Sequence, residues 1–383
     1  MPVERIHLIN PDRIAWYCQD RGITPFELAD TIGISEATME KVVAGEDGMT
    51  FHQLKRMAEY FGRGVLFFLE DEPVDVEKIY TAQFRTLANQ KPELSPKVKT
   101  LIERVEKQRD IFLSLSESLS DADRPTFRPP DLTNLNIREA AMSTRQWLGI
   151  GEQNSFDTYR SAVERQAILV FRSNGYSGKW QIPKDDPILG FTIYNNVCPV
   201  IFIKKQWASQ QSFTLMHELA HVLRHKASSI DDAADLQSQA GREREANAFA
   251  GHMLVPDAFL RSINDADRPA DVSNYDNWLA LQRRAWGVST EVILRRLLDT
   301  NRLPQVRYDA YRHWRNTTVH PTETGGNREY RHREPKHIFG DRFVLTVLEA
   351  LNARYVTLAK ASSYLDSLKI QDLHRLERYY ASL

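Results

Sequence analysis

Three residues in the stretch 213-FTLMHELAHVLRH-225 have the types and spacing for hydrolytic chemistry: His217, Glu218 and His221. Residues four apart on a helix project from one face, about one turn apart. His217 and His221 can therefore each bring an imidazole nitrogen to about 2.0–2.1 Å from one metal ion. Glu218 projects at the neighbouring angle, beside the metal but not needed as a ligand. A carboxylate there can take a proton from an attacking water. The surrounding helix is apolar: Leu215, Met216, Leu219, Ala220, Val222 and Leu223 recur at helical period. Two histidines and a glutamate buried there without a shared partner would be costly. One zinc ion per chain is the expectation.

A third protein ligand is needed. His225 continues the stripe, but it lies eight residues past His217, about 12 Å along an unbroken helix. No glycine between His221 and His225 turns the chain back, so both ends of the stripe cannot reach one ion. His225 is expected as a helix-end cation or as a group supporting the site from outside. The segment 242-REREANAFAGHML-254 offers Glu243 and Glu245. Glu243 shares a face with Asn247, Ala250 and Leu254, a small and apolar face suited to packing on the first helix. Glu245 points roughly the opposite way. Glu243 is preferred as third ligand, with Glu245 as the alternative. Asn247, one turn on, can orient a ligand through a hydrogen bond. For the group that steadies a developing oxyanion, Tyr194, His225 and His252 all remain open.

The H-E-L-A-H helix, followed by E-x-E-A-N-x-F-A with M-L-V-P behind it, resembles the ImmA/IrrE family of zinc metallopeptidases. The segments 188-ILGFTIYN-195 and 199-PVIFIKK-205, which lead into 213-FTLMHELAH-221, resemble it too, so the resemblance spans about residues 130–265. It implies a thermolysin-like (gluzincin) arrangement in which His217, His221 and Glu243 hold the metal and Glu218 is the base. Members of the family cut a partner protein, usually a repressor encoded nearby. Many carry an Xre-like helix-turn-helix, and residues 12–69 resemble one. The expected function is thus a regulatory zinc endopeptidase that cleaves a repressor-like or antitoxin-like partner and so controls a stress, prophage or defence response. Two readings compete: a DNA-binding regulator whose metal helices are structural, and a toxin-like member of a two-gene module. Glu218 argues against the former, because a structural metal site has no use for a base.

The elements that must position these residues give a mainly α (α+β) fold. Residues 1–72 read as a helix-turn-helix bundle. Thr24 caps 24-TPFELADTIG-33, with Pro25 at its first position and Gly33 as its stop; Ser35 caps 35-SEATMEKVVAG-45, and 50-TFHQLKRMAEYFG-62 supports both. Residues 73–130 form a helical connector. In it Leu101, Val105, Gln108, Phe112, Leu115 and Leu119 make a seam for another helix or another chain, and three prolines in 124-RPTFRPPD-131 mark a linker. Residues 131–265 form a zincin-like metallopeptidase domain whose strands are 167–171, 188–195 and 199–205. The middle one could pair with an extended substrate. Residues 266–383 form a C-terminal helical domain for regulation or partner binding, with helices at 277–287 and 289–300 and a polar loop at 321–335.

Composition bounds the partners. Net charge is −1, so no global field draws the chain to nucleic acid or membrane. Cys18 and Cys198, the only two cysteines, give neither a disulfide framework nor a cysteine zinc site, and no apolar run approaches membrane-spanning length. A cytoplasmic location follows as expectation. Residues 1–72 hold seven Lys/Arg against thirteen Asp/Glu, and the second helix offers Glu36 and Glu40 against Lys41 alone. Duplex binders neutralise phosphates with basic residues, so this domain is expected to bind DNA weakly, or to dock proteins or dimerise instead. Residues 280–345 are the reverse, thirteen Lys/Arg against seven Asp/Glu. There Arg283, Arg284, Arg295 and Arg296 lie on helices, and Arg328, Arg331, Arg333 and Lys336 lie near Tyr330. Such a mixture can serve single-stranded nucleic acid, though a solvated helix face explains it as well.

Overall fold

The computed structural model describes residues 5–75, 80–91, 94–119, 126–175, 178–318 and 328–383. Positions 124–125 of the expected linker, residues 321–327 of the polar loop and the Arg328 side chain lie outside the description. The chain forms two units, Met1–Arg104 and Val105–Leu383.

The first unit opens with the helices α1 (Pro11–Asp20), α2 (Pro25–Ile32), α3 (Glu36–Val43) and α4 (Phe51–Phe61). Thr24 accepts from the Glu27 amide while the Glu27 carboxylate accepts from the Thr24 amide, a reciprocal cap that starts α2. The helix stops at Gly33, whose φ of 64° a side chain would strain. Tyr17, Leu28, Met39, Val42, Leu54, Met57 and Phe68 are fully buried between the helices. The outer side of α3 exposes Glu36, Glu40 and Lys41. Arg13 and Arg21 are buried, Arg13 over Phe67 and Arg21 on the Glu103 carboxylate, which Arg63 also grips. These cations are spent inside the unit, which leaves the α3 surface as acidic as its sequence.

The second unit is built around a four-stranded sheet of order β1-β3-β2-β4. The strands are β1 (Leu169–Arg172), β2 (Ile188–Ile193), β3 (Val200–Ile203) and β4 (Ser229–Asp232). β1 runs parallel to β3, and β2 runs antiparallel to both β3 and β4. β2 is therefore bonded on both sides, and an extended substrate cannot add to it as the sequence suggested. Phe191 stacks on Phe202 on one face of the sheet. Gly190 pairs with Asp231 and Thr192 with Ser229, so these four residues share the opposite face. A bulge at Leu189 separates the Ile188–Asp232 and Gly190–Asp231 pairs.

The helix Ala208–Ala220 crosses that face, and its last turn opens into a π-turn at His221–His225. The helix Gly241–Leu254 packs beside it. One core joins both helices to Ile137–Leu148 and Phe156–Arg165 and runs on through Tyr311. The seam on the helix Pro96–Ser118 faces other helices of the same chain: Phe112 stacks on Phe343, and Gln108 donates to the Tyr364 carbonyl. The helix Glu334–Asn352 breaks at Gly340 (φ 77°), where the buried Glu164 carboxylate accepts from the Asp341 and Arg342 amides. Several of the basic residues from 280 onward are paired within the unit: Arg283 and Arg315 with Asp276, Arg296 with Asp257, Arg302 with Asp265 and Arg312 with Glu291. Among the described residues no helix is long and apolar enough to cross a membrane.

Candidate metal centre

His217 and His221 converge as their spacing requires. Their Nε2 atoms are 3.2 Å apart. Glu243, in the first turn of Gly241–Leu254, places Oε2 3.1 Å from His217 Nε2 and 3.5 Å from His221 Nε2. A fourth donor comes from the sheet: Asp231 Oδ2 lies 3.8 Å from His217 Nε2 and 3.5 Å from His221 Nε2. All four donor atoms lie within 4.8 Å of one another. Ligands at about 2.0–2.2 Å from a tetrahedral zinc stand about 3.4 Å apart, so these separations suit one ion.

The outer nitrogens of the imidazoles are separately held. Asn247 Nδ2 donates to the Asp235 and Ser238 carbonyls, at 3.0 and 3.2 Å. That fixes the amide, turning Oδ1 toward His217 Nδ1 at 2.9 Å. His217 Nδ1 must therefore donate, which leaves the Nε2 lone pair for a metal. His225 Nδ1 lies 2.9 Å from His221 Nδ1, so His225 supports its neighbour from outside the cluster. Burial first, then the charge of His221, lowers His225 to about 4. This disfavours a charged imidazole at the helix end.

Glu245 faces away from the cluster. Arg224 donates to its Oε1 from Nε at 2.8 Å and also holds the Leu132 and Leu135 carbonyls. Of the two glutamates offered by the sequence, only Glu243 meets His217 and His221; Glu245 reaches His225 instead, at 3.6 Å. His252 lies nine residues beyond Glu243, about 13 Å along the helix, and pairs with Asp257 at 3.9 Å. Tyr194 packs on the main core, and its amide donates to Ser228.

Glu218 is fully buried beside the donors. Its Oε2 accepts from the Thr192 hydroxyl at 2.7 Å, and its Oε1 has no hydrogen-bond partner. Burial, then the Asp231 charge, pushes Glu218 well above the usual carboxylate range. Burial alone would lower His217, but the Asp231 and Glu243 carboxylates beside it outweigh that and raise it to about 9. Burial would raise Glu243; hydrogen bonds to both histidines instead hold it well below the usual range. Three carboxylates around two imidazoles, with an orphaned oxygen on both Glu218 and Asp231, form a buried donor set in want of a cation. The residues fit a divalent metal with nitrogen and oxygen ligands.

Asp231 was not legible in the sequence. It belongs to a strand of four residues in a polar stretch, with no motif around it. The one available signal was its place between the two helices, in the segment that must return the chain across the site.

A histidine pair and a buried glutamate on one helix, a carboxylate from a second helix and a small sheet beneath fit a metallopeptidase domain. Comparison with known families agrees. Residues 163–298 match the peptidase family of the IrrE N-terminal-like domain, and residues 13–64 match the Cro/C1-type HTH DNA-binding domain. The chain thus has a helix-turn-helix plus ImmA/IrrE architecture. No curated protein matches it.

Proposed function

We propose that this chain is a regulatory zinc endopeptidase that cleaves a repressor-like or antitoxin-like protein. His217, His221 and Glu243 hold the zinc, Asn247 orients His217, and Glu218 is the general base. The strongest support is the convergence of His217, His221 and Glu243 with Glu218 alongside, pinned by one oxygen and free at the other. Bound zinc supplies Lewis acidity at the scissile carbonyl at neutral pH. Glu218 Oε1 takes the proton of the attacking water, and Thr192 keeps the carboxylate turned toward it. Burial favours the protonated form of Glu218, which suits it to return that proton to the leaving amine. A Cro/C1-type domain in the same chain supports a regulatory target over a nutritional one.

Metal analysis and a cleavage assay test this together. His217→Ala and His221→Ala should lose zinc. Glu218→Gln should keep zinc and slow cleavage of a co-incubated Cro/C1-type repressor by about 10²–10⁴-fold, the usual worth of a general base. Cleavage by Glu218→Gln at the wild-type rate would sink the assignment of the base, and full zinc in His217→Ala would sink the site.

A further inference from the structure

We propose that Asp231 is a fourth ligand of the metal and that it closes the site until it withdraws. The inference rests on the metal-centre reading above and adds a regulatory element to it. Asp231 is almost wholly buried. Its Oδ1 accepts from the Ser229 hydroxyl at 3.2 Å, while Oδ2 has no hydrogen-bond partner and points at the two histidines. A carboxylate that merely orients a ligating histidine would bond its outer nitrogen. Here both outer nitrogens are taken, by Asn247 and His225, and Asp231 stands on the Nε2 side with Glu243. The bulge at Leu189 sets the register that pairs Asp231 with Gly190, on the face that looks toward Glu218.

The consequence lies in coordination number. Structural zinc sites are closed by four protein ligands, whereas catalytic sites keep a position open. With Asp231 in place the protein offers four donors, and an ion held tetrahedrally by all four would have no position for water or substrate. Hydrolysis would then require Asp231 to leave. It is the donor whose element is easiest to move. β4 is an end strand of four residues, while the other donors stand on helices of thirteen and fourteen residues or at the turn that ends one of them.

Cobalt(II)-loaded full-length protein tests this, with azide as the probe. Wild type should keep its visible spectrum at azide concentrations that shift the spectra of Asp231→Ala and Asp231→Asn, because only the variants offer an open position. In competition with a chelator, Asp231→Ala should hold cobalt at least about tenfold more weakly, the least that losing even an outer partner costs. Asp231→Asn keeps the shape of the side chain, and thermal melts of both variants separate ligand loss from unfolding. If azide shifts the wild-type spectrum as readily as that of the variants, and chelator competition is unchanged in both, Asp231 is not a ligand. His217→Ala separates this failure from that of the metal centre itself. Loss of cobalt in His217→Ala with wild-type behaviour in both Asp231 variants overturns only the fourth ligand; cobalt retained in His217→Ala overturns the centre, and the inference with it.

Discussion

Replacing Gly190 by alanine measures how tightly the sheet holds Glu218, the base proposed above. A Cβ at this position would stand 2.6 Å from Glu218 Oε1, 3.0 Å from Thr214 Cγ2 and 3.1 Å from the Phe202 carbonyl oxygen. Ordinary contact begins near 3.4 Å, so Glu218 is about 0.8 Å too close. The Phe202 carbonyl belongs to β3 and is held within the sheet, and Thr214 stands mid-helix. The carboxylate end is the part most able to yield. Overpacking of this kind costs about 1–3 kcal/mol, and a displacement of about 1 Å at a reacting group can cost about 10²-fold in rate. Gly190→Ala should therefore keep its zinc, melt at a lower temperature and cleave about 10²-fold more slowly. Zinc content, thermal melting and cleavage of a co-incubated Cro/C1-type repressor read the three quantities separately. Wild-type cleavage at a wild-type melting temperature would refute the reasoning, since it would mean that strand and helix part freely and that the position of Glu218 does not matter. Loss of zinc would show the whole helix moving rather than the carboxylate alone.

Glu243→Ala should lose most of its zinc while Glu245→Ala keeps it, because Glu245 is committed to Arg224; metal analysis of the two variants decides, and the reverse result would hand the ligand role to Glu245. The full-length protein should bind duplex oligonucleotides weakly and with little sequence preference at physiological salt, because the exposed side of α3 carries Glu36 and Glu40 against Lys41; a fluorescence anisotropy titration giving sub-micromolar, sequence-selective binding would overturn this. Burial, opposed by the Arg160 charge, raises Glu164 from 4.5 to about 7, so its contribution to stability is present below about pH 4.5 and is lost as pH rises through about 7, a swing of about 3 kcal/mol. Wild type should therefore lose stability relative to Glu164→Gln across that interval in denaturant unfolding, and a constant difference between the two would rule out the raised value.

Local chemistry made much of the fold legible. Thr24 and Ser35 each cap the helix they were expected to start, and Thr50 does the same for the third, because a hydroxyl that satisfies an orphan amide acts within three residues. The three β-branched and aromatic runs form strands for an equally local reason. What failed was relational. The segment 277–287 read as one helix but divides at Leu279, which is wholly buried in the main core. β2 read as open to a substrate, but the fourth strand covers its second edge. No property of 188-ILGFTIYN-195 could announce a partner that arrives forty residues later as 229-SIDD-232.

The same distinction runs through the metal centre. His217, Glu218 and His221 are related by helical period alone, so their convergence is a property of one segment. Glu243 needed one further step, the choice of the helix face that packs, and the small residues around it supplied that. Asp231 needed the sheet order, the antiparallel pairing of β4 with β2 and the bulge at Leu189, all of which are settled only when distant segments meet. A displaceable ligand is also best drawn from such an element. A donor fixed by helical period is backed by the whole helix, whereas one on a short end strand is backed by the pairing of four residues along one edge. The donor that was hardest to read is thus the one whose placement most readily permits control.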